Sequence, residues 1–100
     1  ASDVYKRQLL AQGDAEGAER VLKPVIDRIG PDGATLHLMG LIKKAQNQFG
    51  DAERFFRKAV ANGLREGPYY NDLGVVLQAR GEYAEAARVF RAAMALLPQI

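Results

Sequence analysis

The side chains that could take part in chemistry are few, and they lie far apart in the sequence. His37 is the only histidine of the chain, and there is no cysteine. On a helix its neighbours along the same face would be Leu41 and Lys44, so no carboxylate at helical spacing completes an acid–base pair with it. Thr35 has no base beside it that could activate its hydroxyl group. Neither residue therefore predicts a catalytic centre.

The acidic residues predict no catalytic centre either. Asp72, Glu82 and Glu85 fall on different faces or at different ends of the expected helices, so they do not form the carboxylate pair that acid–base hydrolysis needs. The absence of cysteine excludes a thiolate metal site, and no glycine-rich loop follows a strand to hold a phosphate. We therefore expect no enzymatic activity, no cofactor and no bound metal within these residues.

Composition and charge describe an ordinary soluble chain. Of its 100 residues 48% are hydrophobic and 26% are charged, and the formal net charge is +2. Acidic and basic residues alternate at helical spacing from Asp51 to Lys58, which indicates solvated helix faces and not a basic stripe for nucleic acid. No apolar run reaches the roughly 18–20 residues of a membrane span. The compartment stays open, with the cytoplasm favoured over the periplasm.

The strongest signal in the chain is a fixed internal period. Shifting the sequence by 34 aligns Gly40 with Gly74 and Phe56 with Phe90. The same shift aligns Phe49 with Tyr83, Ala52 with Ala86 and Ala59 with Ala93. A fixed period of this length is typical of stacked repeats, in which each unit buries its apolar face against the next.

Each repeat unit is predicted to be a pair of helices. Asn47 and Gly81 end the first helix of two units, because both residue types tolerate the left-handed conformation found at helix ends. Gly40 and Gly74 allow the two helices of a pair to approach closely. The residues predicted to form the repeat-defining core are Leu36, Met39, Gly40, Phe49, Ala52, Phe56, Ala59, Tyr70, Leu73, Gly74, Leu77, Tyr83, Ala86, Phe90 and Ala93.

This pattern closely resembles the tetratricopeptide repeat, as found in bacterial tandem-repeat proteins. The second unit departs from the family pattern at Lys43, Asn47 and Leu64, where the family prefers a large apolar residue, glycine and proline. The resemblance implies an all-α fold of antiparallel helix hairpins stacked into a right-handed solenoid, with about three units and six helices. It also implies a fragment of a longer protein.

The units have unequal support. Residues 33–66 and 67–100 form the second and third units, and residues 9–32 form a partial or divergent first unit. Residues 1–8 look like translated adaptor sequence and are expected to be an artefactual or disordered leader. Within the first unit, Pro24 falls inside the helix expected for residues 16–29, where it removes a hydrogen bond and costs about 3 kcal/mol or a kink. Pro98 is expected to prevent further helix at the end of the chain.

The resemblance also implies a function, which is to bind a peptide or protein segment in the concave groove lined by the first helix of each unit. The groove candidates are His37, Leu41, Lys44, Asn71, Val75 and Gln78. Some relatives clamp a C-terminal carboxylate with basic and asparagine side chains in this groove. Asp72 occupies one of the corresponding positions and would repel a carboxylate, so we expect no such clamp here.

Two alternatives stay open at this point. The groove candidates could be ordinary solvent-facing residues, and the repeats could form a structural spacer or an oligomerisation element. In the second case they would be attached to a catalytic domain of the glycosyltransferase or sulfotransferase kind, or belong to a repeat protein of the pilus-assembly kind. Groove binding and the spacer role both predict self-association or marginal stability, because stacked repeats expose an apolar surface at an uncapped end.

Overall fold

The computed structural model describes residues 14–30 and 32–96, which form five α-helices and no strand. The helices are α1 (Ala15–Ile29), α2 (Gly33–Ala45), α3 (Phe49–Ala61), α4 (Gly67–Ala79) and α5 (Tyr83–Ala95). Packing contacts join α1 with α2, α2 with α3, α3 with α4, and α4 with α5. This arrangement is the all-α stack of helix pairs that the sequence predicts. The sixth expected helix, the leader and Pro98 lie outside the described residues.

Local sequence signals determine where the helices begin and end. The carboxylates of Asp14 and Asp32 accept hydrogen bonds of 2.7 Å from backbone N–H groups three residues ahead, and so cap α1 and α2. Pro68 lies in the first turn of α4, where its missing donor costs nothing. Asn47 and Gly81 have φ angles of 60° and 80°. The left-handed ends predicted for α2 and α4 are therefore confirmed.

Helix α1 continues through Pro24 and has helical backbone from Ala15 to Ile29. Proline removes one hydrogen bond of the helical ladder at this point. The apolar face of α1 compensates for this loss, because Ala18 and Leu22 are fully buried against α2.

The two helices of each pair approach each other through glycine. A Cβ atom added to Gly74 would lie 2.5 Å from Cε1 of Phe90, and one added to Gly40 would collide with the ring of Phe56. Only a residue without a side chain fits at either position, because no Cβ atom is found that close to a ring carbon. The same interlock thus occurs in two successive units, at equivalent positions of the repeat.

Two clusters of buried side chains hold the stack together. One joins α1 to α2, and the other joins α3 to α4 and α5, so that each repeat shares its core with a neighbour. The first cluster contains Ala18, Leu22, Leu38, Met39 and Ile42. The second contains Ala52, Phe56, Leu73, Val76, Leu77 and Ala86.

The expectation of a core position for Tyr83 is wrong. Its side chain is 68% exposed, whereas its counterpart Phe49 is half-buried against the second cluster, which includes residues of α4. The difference has a simple cause, since α4 covers the face of α3 that carries Phe49 and no helix of the described residues covers the same face of α5. Tyr70 and Phe90 are half-buried, and the remaining residues predicted for the core are buried.

Candidate functional site

A polar contact links the first helices of two neighbouring repeats. The Nε2 atom of His37 on α2 lies 2.6 Å from Oδ2 of Asp72 on α4, and the two side chains are only 14% and 24% exposed. The rings of His37 and Tyr69 meet edge to face with 4.8 Å between their centroids, and the ring of Phe56 is tilted against the imidazole at 5.4 Å. His37 is therefore held by three residues from two other helices.

The contact restricts what His37 can do chemically. When the imidazole is neutral and Asp72 is ionised, Nε2 must carry the proton and donate it to the carboxylate, and Nδ1 is left as an acceptor. A histidine engaged in this way supports the packing of α2 on α4. Sequence reasoning missed Asp72 as its partner, because the two residues are 35 positions apart.

Beside this contact the surface contains a cavity of about 390 Å³. Its volume falls within the roughly 300–1,000 Å³ of ordinary ligand pockets. Residues of α2 form most of the wall, and Tyr69 of α4 closes one side. The lining residues are Asp32, Ala34, Thr35, His37, Leu38, Leu41 and Tyr69.

Of the six groove candidates, two line the cavity and four do not. His37 and Leu41 contribute to its wall. Lys44 is half-buried further along α2, where it follows Leu41 by one helical turn. The three candidates on α4 are exposed, and they recur at the same helical spacing. These three are Asn71, Val75 and Gln78.

Comparison with known proteins agrees with this architecture. Two family models described as tetratricopeptide repeat match the chain, one over residues 67–100 and the other over residues 7–24. The chain is a tetratricopeptide-repeat protein. Its structure is similar to that of MamA, residues 41 to the end, from Desulfovibrio magneticus RS-1, with a TM-score of 0.86 and 25% sequence identity. That match covers 95% of this chain and 54% of the MamA chain, so the chain spans about half the length of that relative. No curated protein matches the chain.

Successive tetratricopeptide units are also joined by ion pairs away from this cavity. Nζ of Lys43 lies 3.1 Å from Oε1 of Glu19, and Nε2 of Gln46 lies 3.2 Å from the same oxygen. The hydrogen bond from Lys43 outweighs the effect of burial and holds the pKa of the Glu19 carboxyl below its ordinary value. Lys43 is one of the departures from the family pattern, and this contact between units explains it.

A second network of ion pairs, between positions 53 and 85, joins the second unit to the third. The Glu53 carboxylate accepts hydrogen bonds from Nε of Arg57 at 2.9 Å and from Nη1 of Arg80 at 2.5 Å, while Arg57 also binds Glu85. Burial raises the pKa of the Glu53 carboxyl, but the two arginines outweigh it and hold the pKa below the ordinary value. The network therefore connects α3 with both helices of the following unit.

Neither a metal site nor a membrane-spanning helix is found among the described residues of the repeat stack. In residues 14–30 and 32–96 no three histidine, aspartate or glutamate side chains come together in a way that could hold a metal ion. None of the five helices has the length and apolar character required to cross a membrane.

Proposed function

We propose that this tetratricopeptide-repeat protein is a protein-interaction scaffold, and that it binds an extended segment of its partner across α2 and α4. The observation that supports this most directly is the cavity of about 390 Å³ beside the contact between His37 and Asp72. Its wall combines apolar side chains with a few polar groups, which is the usual composition of a recognition pocket. The alternative, a flat and fully polar helix surface, would offer a peptide no apolar pocket.

Each groove candidate has a role in this proposal. The amide groups of Asn71 and Gln78 hydrogen-bond to the backbone of the bound segment, because a side-chain amide offers both a donor and an acceptor. Leu41 and Val75 make apolar contacts with the bound segment. Lys44 attracts an acidic side chain of the partner.

His37 has an indirect role in the same proposal. Because its Nε2 atom is engaged by Asp72, it fixes the spacing of α2 and α4, and its side chain forms part of the cavity wall. We expect that its removal weakens partner binding by disturbing the groove, whereas Asn71 and Lys44 act through direct contact.

The experiment that tests the proposal is a peptide-display selection against the wild-type chain, followed by affinity measurement on the variant Lys44→Ala, Asn71→Ala. We expect selected peptides to bind the double variant at least tenfold more weakly. The matched control is Gln48→Ala, Lys58→Ala, which also removes one lysine and one amide but from exposed positions on or before α3. This control should leave the affinity unchanged.

Two results would contradict groove binding. The first is a selection that yields no peptide above background, which would favour a spacer role. The second is equal loss of affinity in the groove variant and in the control, which would place the binding surface elsewhere. The oligomerisation alternative is favoured by a separate observation, the exposed apolar residues of α5.

A further inference from the structure

The exposed apolar residues of α5 form a regular seam. Tyr83, Ala87, Phe90 and Met94 are spaced by four, three and four residues, which at about 100° per residue brings them to one side of the helix. Tyr83 and Met94 are each 68% exposed, Ala87 is exposed and Phe90 is half-buried. We call these four residues the α5 seam. This spacing is that of the apolar positions of a coiled coil.

The stack itself contains the same face in its covered form. A shift by one repeat period relates the α5 seam to Phe49, Glu53, Phe56 and Val60 of α3. There Phe49 and Phe56 pack in one cluster with residues of α4, and Glu53 binds Arg80 at the end of α4. A face of this kind therefore accepts another helix within this same chain. On α5 it carries no charged residue, because Ala87 replaces Glu53.

The order of residues in the seam makes it complementary to itself. Tyr83 and Met94 lie equally far from the midpoint of the seam, between Arg88 and Val89, and so do Ala87 and Phe90. In an antiparallel pair related by a two-fold axis, residues equally far from the midpoint come opposite each other. Small Ala87 then faces large Phe90 of the second copy, and Tyr83 faces the flexible thioether of Met94.

We propose that the α5 seam is a homodimerisation surface, on which α5 of a second copy packs antiparallel. Charge permits the pairing, since the seam is uncharged and the formal net charge of each chain is only +2. In the same register Arg91 of one copy lies opposite Ala86 of the other, so the two Arg91 side chains do not face each other. A seam of four residues is smaller than the roughly 20–30 residues per side of a standard interface. The dimer is therefore weak, and it forms reversibly at high protein concentration.

Analytical ultracentrifugation over a concentration series tests this surface with two variants. Tyr83→Glu and Met94→Lys each place a charge in the seam at a position that is 68% exposed, so neither substitution disturbs the core. We expect the wild type to pass from monomer to dimer as concentration rises and each variant to stay monomeric. Gln48→Glu and Gln48→Lys introduce the same charges at an exposed position before α3 and should dimerise like the wild type.

Mixing the two seam variants tests the register. In a mixed antiparallel dimer the new glutamate faces the new lysine, and the remaining Tyr83 faces the remaining Met94, so the equimolar mixture should recover dimerisation. A wild type that stays monomeric at millimolar concentration would overturn the proposal. Association that ignores both substitutions would also overturn it, because another surface would be responsible. Variants that dissociate but do not recover on mixing would refute the antiparallel pairing and favour head-to-tail stacking.

Discussion

The imidazole of His37 and the carboxylate of Asp72 lie 2.6 Å apart across the boundary between two repeats. Both side chains are largely shielded from water, and neither belongs to the repeat pattern that defines the family resemblance. The pair therefore adds a shielded polar link to a boundary that is also held by apolar packing and by the ion pairs of Glu53 with Arg80 and of Arg57 with Glu85. It lies beside the cavity of the proposed groove.

We expect a measurable coupling between these two residues. His37→Ala and Asp72→Ala should each lower the free energy of unfolding by about 1–2 kcal/mol, because each leaves a half-buried polar partner unsatisfied. The double variant should lose less than the sum, by about 0.5–1.5 kcal/mol. Urea unfolding of the four proteins measures this coupling. Pairing His37→Ala with Gln78→Ala, which is exposed and shares no partner with it, should give additive losses.

The interlock of Gly74 with Phe90 predicts opposite outcomes for two glycine-to-alanine changes. Gly74→Ala should lower the free energy of unfolding by about 1–3 kcal/mol, because the ring of Phe90 must move to make room for a methyl group. Gly50→Ala should leave it unchanged or raise it by up to about 1 kcal/mol, since the added Cβ would meet nothing closer than Arg80 at 3.9 Å. Thermal unfolding followed by circular dichroism would decide, and equal effects at the two positions would contradict the interlock.

The left-handed residue at the end of α2 offers a stabilising substitution. Asn47 has a φ angle of 60°, a conformation that glycine adopts with less strain. Asn47→Gly should raise the free energy of unfolding by up to about 1 kcal/mol, and Asn47→Ala should lower it by roughly 1–2 kcal/mol. Asn62 ends α3 with a φ angle of −97°. Asn62→Gly should therefore not raise the free energy of unfolding. This control removes an amide side chain without relieving a left-handed backbone, so it separates the two effects.

The lowered pKa of Glu53 predicts a specific acid sensitivity. Because the folded-state pKa lies below the ordinary value of 4.5, the ionised carboxylate stabilises the fold fully above pH 4.5, and this stabilisation is lost as the pH falls through the folded-state pKa. Glu53→Gln should therefore lower the free energy of unfolding at pH 7. Between pH 7 and pH 3 the variant should then lose less stability than the wild type, by up to about 1 kcal/mol. Urea unfolding at pH 7 and pH 3 measures the difference. The same loss of stability between pH 7 and pH 3 in Glu53→Gln and in the wild type would contradict this prediction.

Much of the fold could be predicted because the packing rules repeat. Gly40 and Gly74 occupy equivalent positions of successive units, together with the phenylalanines that fill the space above them, so period and residue size indicate the same close approach. The helix ends at Asn47 and Gly81 follow from local backbone preference. Both features lie within a single repeat unit, so they can be predicted without knowing how the units pack on each other.

The contacts between repeats were much harder to predict. Lys43 looks like a defect in its unit, yet it binds Glu19 of the preceding unit. His37 and Asp72 also come from different units, and no spacing within one helix indicates that they meet. Tyr83 fits the family pattern for a core residue, but its burial depends on a neighbouring helix and not on its own sequence position. The groove and the α5 seam are for this reason proposals from geometry.

The order of packing along the stack has a consequence for how the chain folds. Because the main contacts join helices that follow one another in sequence, few long loops must close before apolar surface is buried, and such low contact order is associated with folding in microseconds to milliseconds. Amide hydrogen exchange should then be slowest in α3 and α4, which share the second cluster, and faster in α1, whose main packing contacts are with α2. One helix of the proposed groove, α4, would thus lie in the part of the stack that opens least readily.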